Sequence, residues 1–345
     1  MGVEDVRTGG PAFAELSSRA QTNRLRAAAL EVLGNWPIEV ARVRLLLHGY
    51  NTTFRVDTVD GRKFALRLDV NHRKPLPQLH AEMAWLDALA HDTDLVVPVP
   101  QATRAGGFTA AVHVPAIGRE LEAALFSWLP GPDLSRVAAP RHLHELGRVT
   151  AELHAHAEGW SLPAGASLPS VDHWWADDFP LVAGPHPELT DERRRVFLAV
   201  AEHVRRVHRE LAADEAAIVL HCDLHLANAK WHRGRLAVFD FDDALVGVRA
   251  HDLAISSYYL RPRQELIDAL FEGYASVRPL PPLRPDQFEV LLAARNLLLV
   301  HELTTVDAGD FRELLPRFMI NSEIRLRHFL AEGVLRHDLP GIVPL

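Results

Sequence analysis

Cysteine is almost missing. Cys222 is the only one in 345 residues, which excludes a disulfide within the chain. No apolar run approaches the ~20 residues a membrane helix needs, so no membrane partner is expected. Positive charge is in deficit, 37 Lys and Arg against 45 Asp and Glu, net −8. A chain of that balance lacks the basic face that nucleic-acid phosphates require. Residues 1–15 are polar and carry no charged-then-apolar export signal. One thiol without such a signal fits a reducing compartment, so the expected location is cytoplasmic. Disorder and fibrous repeats are excluded, because 48% hydrophobic and 24% charged residues make an ordinary globular composition. The 20 histidines are scattered, as surface and capping residues are.

The length corresponds to about two domains at roughly 150 residues each. Residues 1–23 read as a mobile polar arm. A helix follows at 24–33, with Leu25, Leu30 and Leu33 on one side. The period then changes to two, predicting strands at 43–47, 53–59 and 63–70. Asp60-Gly61, between the last two, is a hairpin signal. A helix at 76–90 has Leu79, Met83, Leu86 and Leu89 as its stripe. Strands at 107–114 and 121–128 precede the break at Pro130-Gly131-Pro132. Beyond it, helices are predicted at 140–155 and 191–213, a loop at 159–169, a short β interlude near 218, and helices again from 253. The pattern predicts an α+β chain: a small antiparallel lobe over 24–130 and a larger, mostly helical lobe over 131–345. A small ligand is expected in a cleft where they join.

The chemistry concentrates in residues 218–252. His221-x-Asp223 ends a short apolar run, and Asn228 lies five residues after Asp223. Runs at 229–231 and 236–239 flank Arg233-Gly234, a hairpin. In a hairpin the start of one strand lies beside the end of the other, so Asn228 and Asp240 become neighbours. An amide oxygen and a carboxylate form an all-oxygen site suited to Mg²⁺, which binds one or two protein groups plus phosphate. Asp223 would then orient a hydroxyl. An Asp followed by a metal-binding Asn, a hairpin and D-F-x is the order of a kinase catalytic loop. Asp242, two further on the same strand, is the second choice of ligand. Asp252 is either a helix N-terminal carboxylate or a buried one that holds the loop.

The small lobe offers an independent test, since a kinase needs a strand cation on the nucleotide phosphates, braced by a helix carboxylate. Alternation sets Phe64, Leu66 and Leu68 on one face and Ala65 and Arg67 on the other. Ala65-Leu66-Arg67 has the spacing of the kinase Ala-x-Lys. Glu82 falls on the apolar stripe of its helix, where a carboxylate either pairs, with Arg67, or reaches to water from the stripe edge. The turn at His48 to Thr53 has one glycine and could offer backbone N–H groups to phosphate.

Together these motifs resemble the aminoglycoside phosphotransferase family and its choline, homoserine and hydroxylysine kinase relatives. The likeness runs over about 45–259. It rests on His221-Cys222-Asp223-Leu224-His225 to Asn228, on Phe239 to Ala244, and on Asp252-Leu253-Ala254. The resemblance implies a protein kinase-like fold of two lobes and ATP (or GTP) with Mg²⁺. It implies Asp223 as base or orienter and Asn228 and Asp240 as metal ligands. Phe126 to Gly131 looks like the family's hinge, which implies that the backbone of Ser127 and Leu129 holds adenine. Cys222 stands where glycine is usual, Leu226-Ala227 where Pro-Gly is common, and Arg67 where lysine is usual.

The expected acceptor is a small-molecule hydroxyl. Asp172 to Phe179 mixes carboxylates with two tryptophans, suited either to an ammonium group, at about 0.5–2 kcal/mol per good ring, or to anchoring a loop on the core. Net charge −8 favours an amine, and Glu302, Asp307 and Asp310 could add to an acidic wall. Three alternatives stand beside this: a Ser/Thr protein kinase of the bacterial stress-response type, a zinc hydrolase using His221, Asp223 and His225, and a non-catalytic nucleotide binder. No pattern assigns an oligomeric state.

Overall fold

A computed structural model of the protein describes residues 13, 16, 18–70, 74–136, 138–175, 186–305 and 309–345. By their contacts the residues group into two units. One contains the described residues up to Lys74 together with Pro100–Trp128. The other contains Pro75–Val99, Leu129–Thr305 and Phe311–Leu345. Pro75–Val99 thus groups with the helices, whereas the sequence pattern ran the first lobe from 24 to 130.

In the first unit, alternation builds the sheet. Strands β1 (Val40–His48), β2 (Thr52–Thr58), β3 (Lys63–Leu68), β4 (Thr109–Val114) and β5 (Arg119–Ser127) pair antiparallel in the order β1-β2-β3-β5-β4. Phe64, Leu66 and Leu68 of β3 enter the core, as the period of two requires. Helix α1 (Ser18–Val32) packs Leu25, Ala28 and Ala29 into that core. It starts six residues before the predicted helix. Trp36 is fully buried, and its indole N–H donates to the Gln101 carbonyl at 2.8 Å, so its one polar atom is satisfied. Asp60-Gly61 does lie in the β2–β3 turn, with Gly61 at φ 84°. That turn is wider than a two-residue hairpin, because Thr58 N donates to Arg62 O across it.

The second unit opens with α2 (Leu76–Asp92), α3 (Pro140–Gly159), α4 (Val171–Trp175) and α5 (Asp191–Asp214). Thr190 caps α5, its side chain accepting from Arg193 N. Short strands β6 (Ile218–Leu220), β7 (Ala229–His232), β8 (Arg235–Val238) and β9 (Leu245–Gly247) follow, then α6 (Ala250–Tyr258), α7 (Gln264–Ala275), α8 (Pro285–Thr305) and α9 (Gly309–Glu332). Phe197, Val200 and Val204 of α5 share one core with Leu292 and Val300 of α8 and Met319 of α9. Helices α3 and α7 meet backbone to backbone. A Cβ on Gly147 would lie 1.9 Å from the Leu270 carbonyl oxygen, and one on Gly273 would lie 1.8 Å from that of His144. Only glycine fits at either place. No helix among the described residues is long and apolar enough to cross a membrane.

Candidate active site

The segment after β6 is held from below by one carboxylate. Asp252, fully buried in the first turn of α6, accepts from His221 N at 3.1 Å and from Cys222 N at 2.7 Å. His154 of α3 meets the same carboxylate at 3.0 Å, and its other ring nitrogen meets the Tyr274 hydroxyl at 3.0 Å. Of the two roles open for Asp252, the buried carboxylate holding the loop is the one formed. Burial by itself would raise its pKa, but the hydrogen bond from His154 and the backbone donor Cys222 hold it below the ordinary carboxylate value.

Those bonds force a sharp bend at Cys222, φ 60°, and the bend presents Asp223. Among the described residues, Cys222, Arg233 and Asp240 are the non-glycine residues with positive φ, and two of them flank the proposed chemistry. The Asp223 carboxylate is tied at both oxygens. Oδ2 accepts from Asn228 Nδ2 at 2.8 Å and lies 3.4 Å from His225 Nε2. Oδ1 accepts from Arg295 Nη2 at 2.5 Å. Burial pushes the Asp223 carboxyl up more strongly than any single neighbour pulls it down, but the Arg295 guanidinium with His225 and His221 together leaves it below its ordinary value.

The hairpin behaves as predicted. Ala229 pairs with Val238, and Phe239 N donates to Asn228 O at 3.0 Å, so Asp240 follows directly beside Asn228. Asn228 spends its amide nitrogen on Asp223, which turns Oδ1 the other way. Asp240 is exposed and left-handed, φ 70°. An amide oxygen and a carboxylate are hard oxygen donors, the chemistry a divalent cation with phosphate selects. The expectation for Asp242 is corrected. β8 stops at Val238, and 241–243 form a 3₁₀ turn after the left-handed Asp240, so strand alternation does not relate Asp242 to Asp240.

The zinc arrangement is not formed. His221 places Nε2 on the Phe239 carbonyl at 3.2 Å and accepts from Asp223 N with Nδ1, so both nitrogens serve the backbone. His225 Nδ1 accepts from Ala227 N, capping the turn at Leu226–Asn228. Among the described residues no group of three or more His, Cys, Asp or Glu is arranged for a metal.

Of the predicted nucleotide contacts, Arg67 lies on β3, nearly buried, with its guanidinium 5.4 Å from the Phe126 ring centre. Ser127 ends β5 opposite Phe64, half-buried. These belong to the first unit. Glu82 and Leu129 belong to the second. Glu82 is 2% exposed on α2, so it does not reach out from the stripe edge to water. Helix α2 also carries Trp85, whose ring stands edge-on to Phe241 of the D-F-D turn, 5.4 Å between centres.

In the segment expected to meet an amine, Trp175 is core and Asp172 pairs with His208 Nε2. Its described part therefore anchors α4. Residues 176–179 and Asp307 lie outside the described residues, as does the side chain of Asp310. Trp174, Trp175, Cys222, His251, Ala294 and Arg295 are among the residues that line a cavity of about 20 Å³, room for one water. The sequence pattern overlooked Arg295. It lies seventy-two residues beyond Asp223 on an otherwise apolar stretch of α8, and a lone arginine there carries no local signal.

A mixed α+β chain with an antiparallel five-stranded sheet and a mostly helical second unit has a protein kinase-like fold, and it carries an H-x-D-x₄-N loop and a D-F-x turn. The chain belongs to the phosphotransferase enzyme family (APH), whose model matches residues 42–285, and it is an ATP-dependent phosphotransferase. Among solved structures it is similar to a microcompartment-associated aminopropanol kinase: TM-score 0.76, 22% identity, covering 90% of this chain and 99% of that one. It is also similar to an amicoumacin kinase in complex with AMP-PNP, Ca²⁺ and Ami: TM-score 0.70, 18% identity, 89% and 96% covered. A homoserine kinase of Rhizobium johnstonii is 30% identical over 213 residues, 57% of this chain and 60% of that one.

Proposed function

We propose that the protein transfers the γ-phosphate of ATP, with Mg²⁺, to a hydroxyl of a small amine-bearing molecule. The observation that carries this is the Asp223–Asn228 hydrogen bond at 2.8 Å, on a hairpin whose register sets Asp240 beside Asn228. In this reading Asp223 accepts a hydrogen bond from the acceptor hydroxyl and aims its lone pair in line with the γ-phosphorus. It takes the proton as the new O–P bond forms and the bond to ADP breaks. Asn228 Oδ1 and Asp240 would hold Mg²⁺, which when bound neutralises charge on the phosphates. Arg67 holds phosphate, and the backbone of Ser127 and Leu129 receives adenine. Most of the rate comes from positioning and electrostatics.

An amine-bearing acceptor is supported by the net charge of −8 and by the relatives, which are named for aminopropanol, amicoumacin and homoserine. A cytoplasmic setting is in keeping with the single thiol. The test is ATP consumption with Mg²⁺ across aminoglycosides, choline, ethanolamine, 1-amino-2-propanol, homoserine, simple sugars and a generic protein. Turnover on one amine, lost in Asp223→Ala while ATP still binds, is the expected result. Equal turnover in the variant overturns the role of Asp223, and turnover on the protein alone overturns the acceptor class.

A further inference from the structure

Arg295 is the nearest charge to Asp223, and nothing in the motif of the loop calls for it. It reaches the loop from α8, and its side chain is 4% exposed. Burying a guanidinium is costly unless its donors are met, and here they are met in a particular way. Nη2 donates to Asp223 Oδ1 at 2.5 Å. Nε and Nη2 both donate to the Tyr259 hydroxyl, at 3.2 and 2.7 Å. Nη1 lies 3.7 Å from Glu302 Oε1, one face of α8 further along. The guanidinium also lies 5.6 Å from the Tyr259 ring centre, and that ring meets His225 at 4.4 Å, tilted by 46°. Two residues outside the loop, Tyr259 and Glu302, therefore hold Arg295, and Nη2 reaches from Tyr259 to the loop.

We propose that Arg295 is the positioning residue for Asp223, setting the plane of the carboxylate from α8 while Asn228 fixes its other oxygen. A carboxylate has about four acceptor sites, and these two bonds take one on each oxygen. What remains is directed, not free to rotate, and one such lone pair meets the acceptor hydroxyl. Near-attack geometry of that kind is worth orders of magnitude in rate, and a displacement of about 1 Å can lose 10²-fold. Tyr259 acts one step behind, because it orients the guanidinium. The groups facing Asp223 are Arg295 from α8, Tyr259 after α6, and His221, His225 and Asn228 from its own loop.

This inference rests on the phosphotransfer reading, and the test keeps the two apart. Phosphate transfer from Mg-ATP is measured on the best acceptor of the panel above, or on water if no acceptor reacts. Arg295→Ala is expected to lose about 10²-fold in kcat with the KM for ATP within about twofold. Millimolar guanidinium is expected to restore part of that loss, and to do nothing for Asp223→Asn. The double variant should be no slower than Asp223→Asn alone, since groups acting as a unit are not additive. Tyr259→Phe, a gentler change, should lose about three- to tenfold in kcat with the same unchanged KM. If Arg295→Ala does not fold, Tyr259→Phe decides: unchanged kcat overturns the inference. Loss without guanidinium rescue, or losses that multiply in the double variant, mark Arg295 as a structural ion pair only and overturn it too. If the wild type transfers phosphate to nothing, water included, the phosphotransfer reading falls and takes this with it.

Discussion

The rings of Trp85 and Phe241 meet edge to face, 5.4 Å between centres at 77°, and Phe241 in turn lies 4.4 Å from His221. One aromatic stack thus runs from α2 through the D-F-D turn to the bend that presents Asp223. Glu82 is three residues before Trp85 on the same helix. Trp85→Ala should cost about 3–5 kcal/mol of stability, as large buried rings do when truncated. It should also lower kcat, because Phe241 is the neighbour of Asp240. Denaturant unfolding and steady-state kinetics check the two effects, and a stability loss with kcat intact would separate the stack from the chemistry.

Asp240 offers a substitution in which stability and function part company. Its left-handed backbone costs an L-residue about 1 kcal/mol, which glycine does not pay. Asp240→Gly relieves that strain and should keep the fold while losing Mg²⁺-dependent ATP binding. Calorimetry with and without Mg²⁺ reads the second effect, and unchanged affinity would remove Asp240 from the metal site.

The α3–α7 contact is predicted to tolerate nothing larger than glycine. Gly147→Ala or Gly273→Ala drives a methyl into a carbonyl oxygen of the facing helix. Overpacking against side chains costs about 1–3 kcal/mol, and against backbone that figure is a floor. Thermal melts should show each variant far below a surface Gly→Ala control such as Gly34→Ala, where a Cβ meets nothing.

Acid should weaken the fold before the carboxylates titrate. Burial keeps His221, His251 and His337 neutral, with His251 lowered to about 4 and His337 to about 3. The unfolded chain takes up those protons near the ordinary value of 6.5. Stability is then full above about pH 6.5 and falls as pH drops towards 4, because the unfolded state binds more protons in that window. Urea midpoints across this range should fall steadily, and less steeply in His251→Gln. A midpoint flat from neutrality to about pH 4 would contradict it.

The parts of the molecule legible in sequence are those with a local period or a fixed offset. Alternation in Phe64 to Leu68 located β3 and its buried face, and the offset between Asn228 and Asp240 located the β7–β8 hairpin. Strand β9 escaped because three residues cannot show a period, although among the described residues it is the one strand paired with β6. Asp242 was misplaced for a different reason: alternation says nothing about where a strand ends, and this one stops at Val238, before the left-handed Asp240. Arg295 could not be found at all from spacing, since its partner is seventy-two residues away and only the packing of α6 against α8 brings them together. Contacts made within one hairpin are written in the chain, whereas those made between helices wait for the fold.

The bend at Cys222 has a practical consequence. Its thiol is 1% exposed, and burial pushes its pKa well above the ordinary value, so it stays protonated and out of reach of maleimides. It is also the only thiol in the chain. A cysteine placed at any exposed position will then be the sole labelling site on the natural background. Spin or fluorescent reporters can be moved residue by residue over this enzyme without first removing a native sulfur.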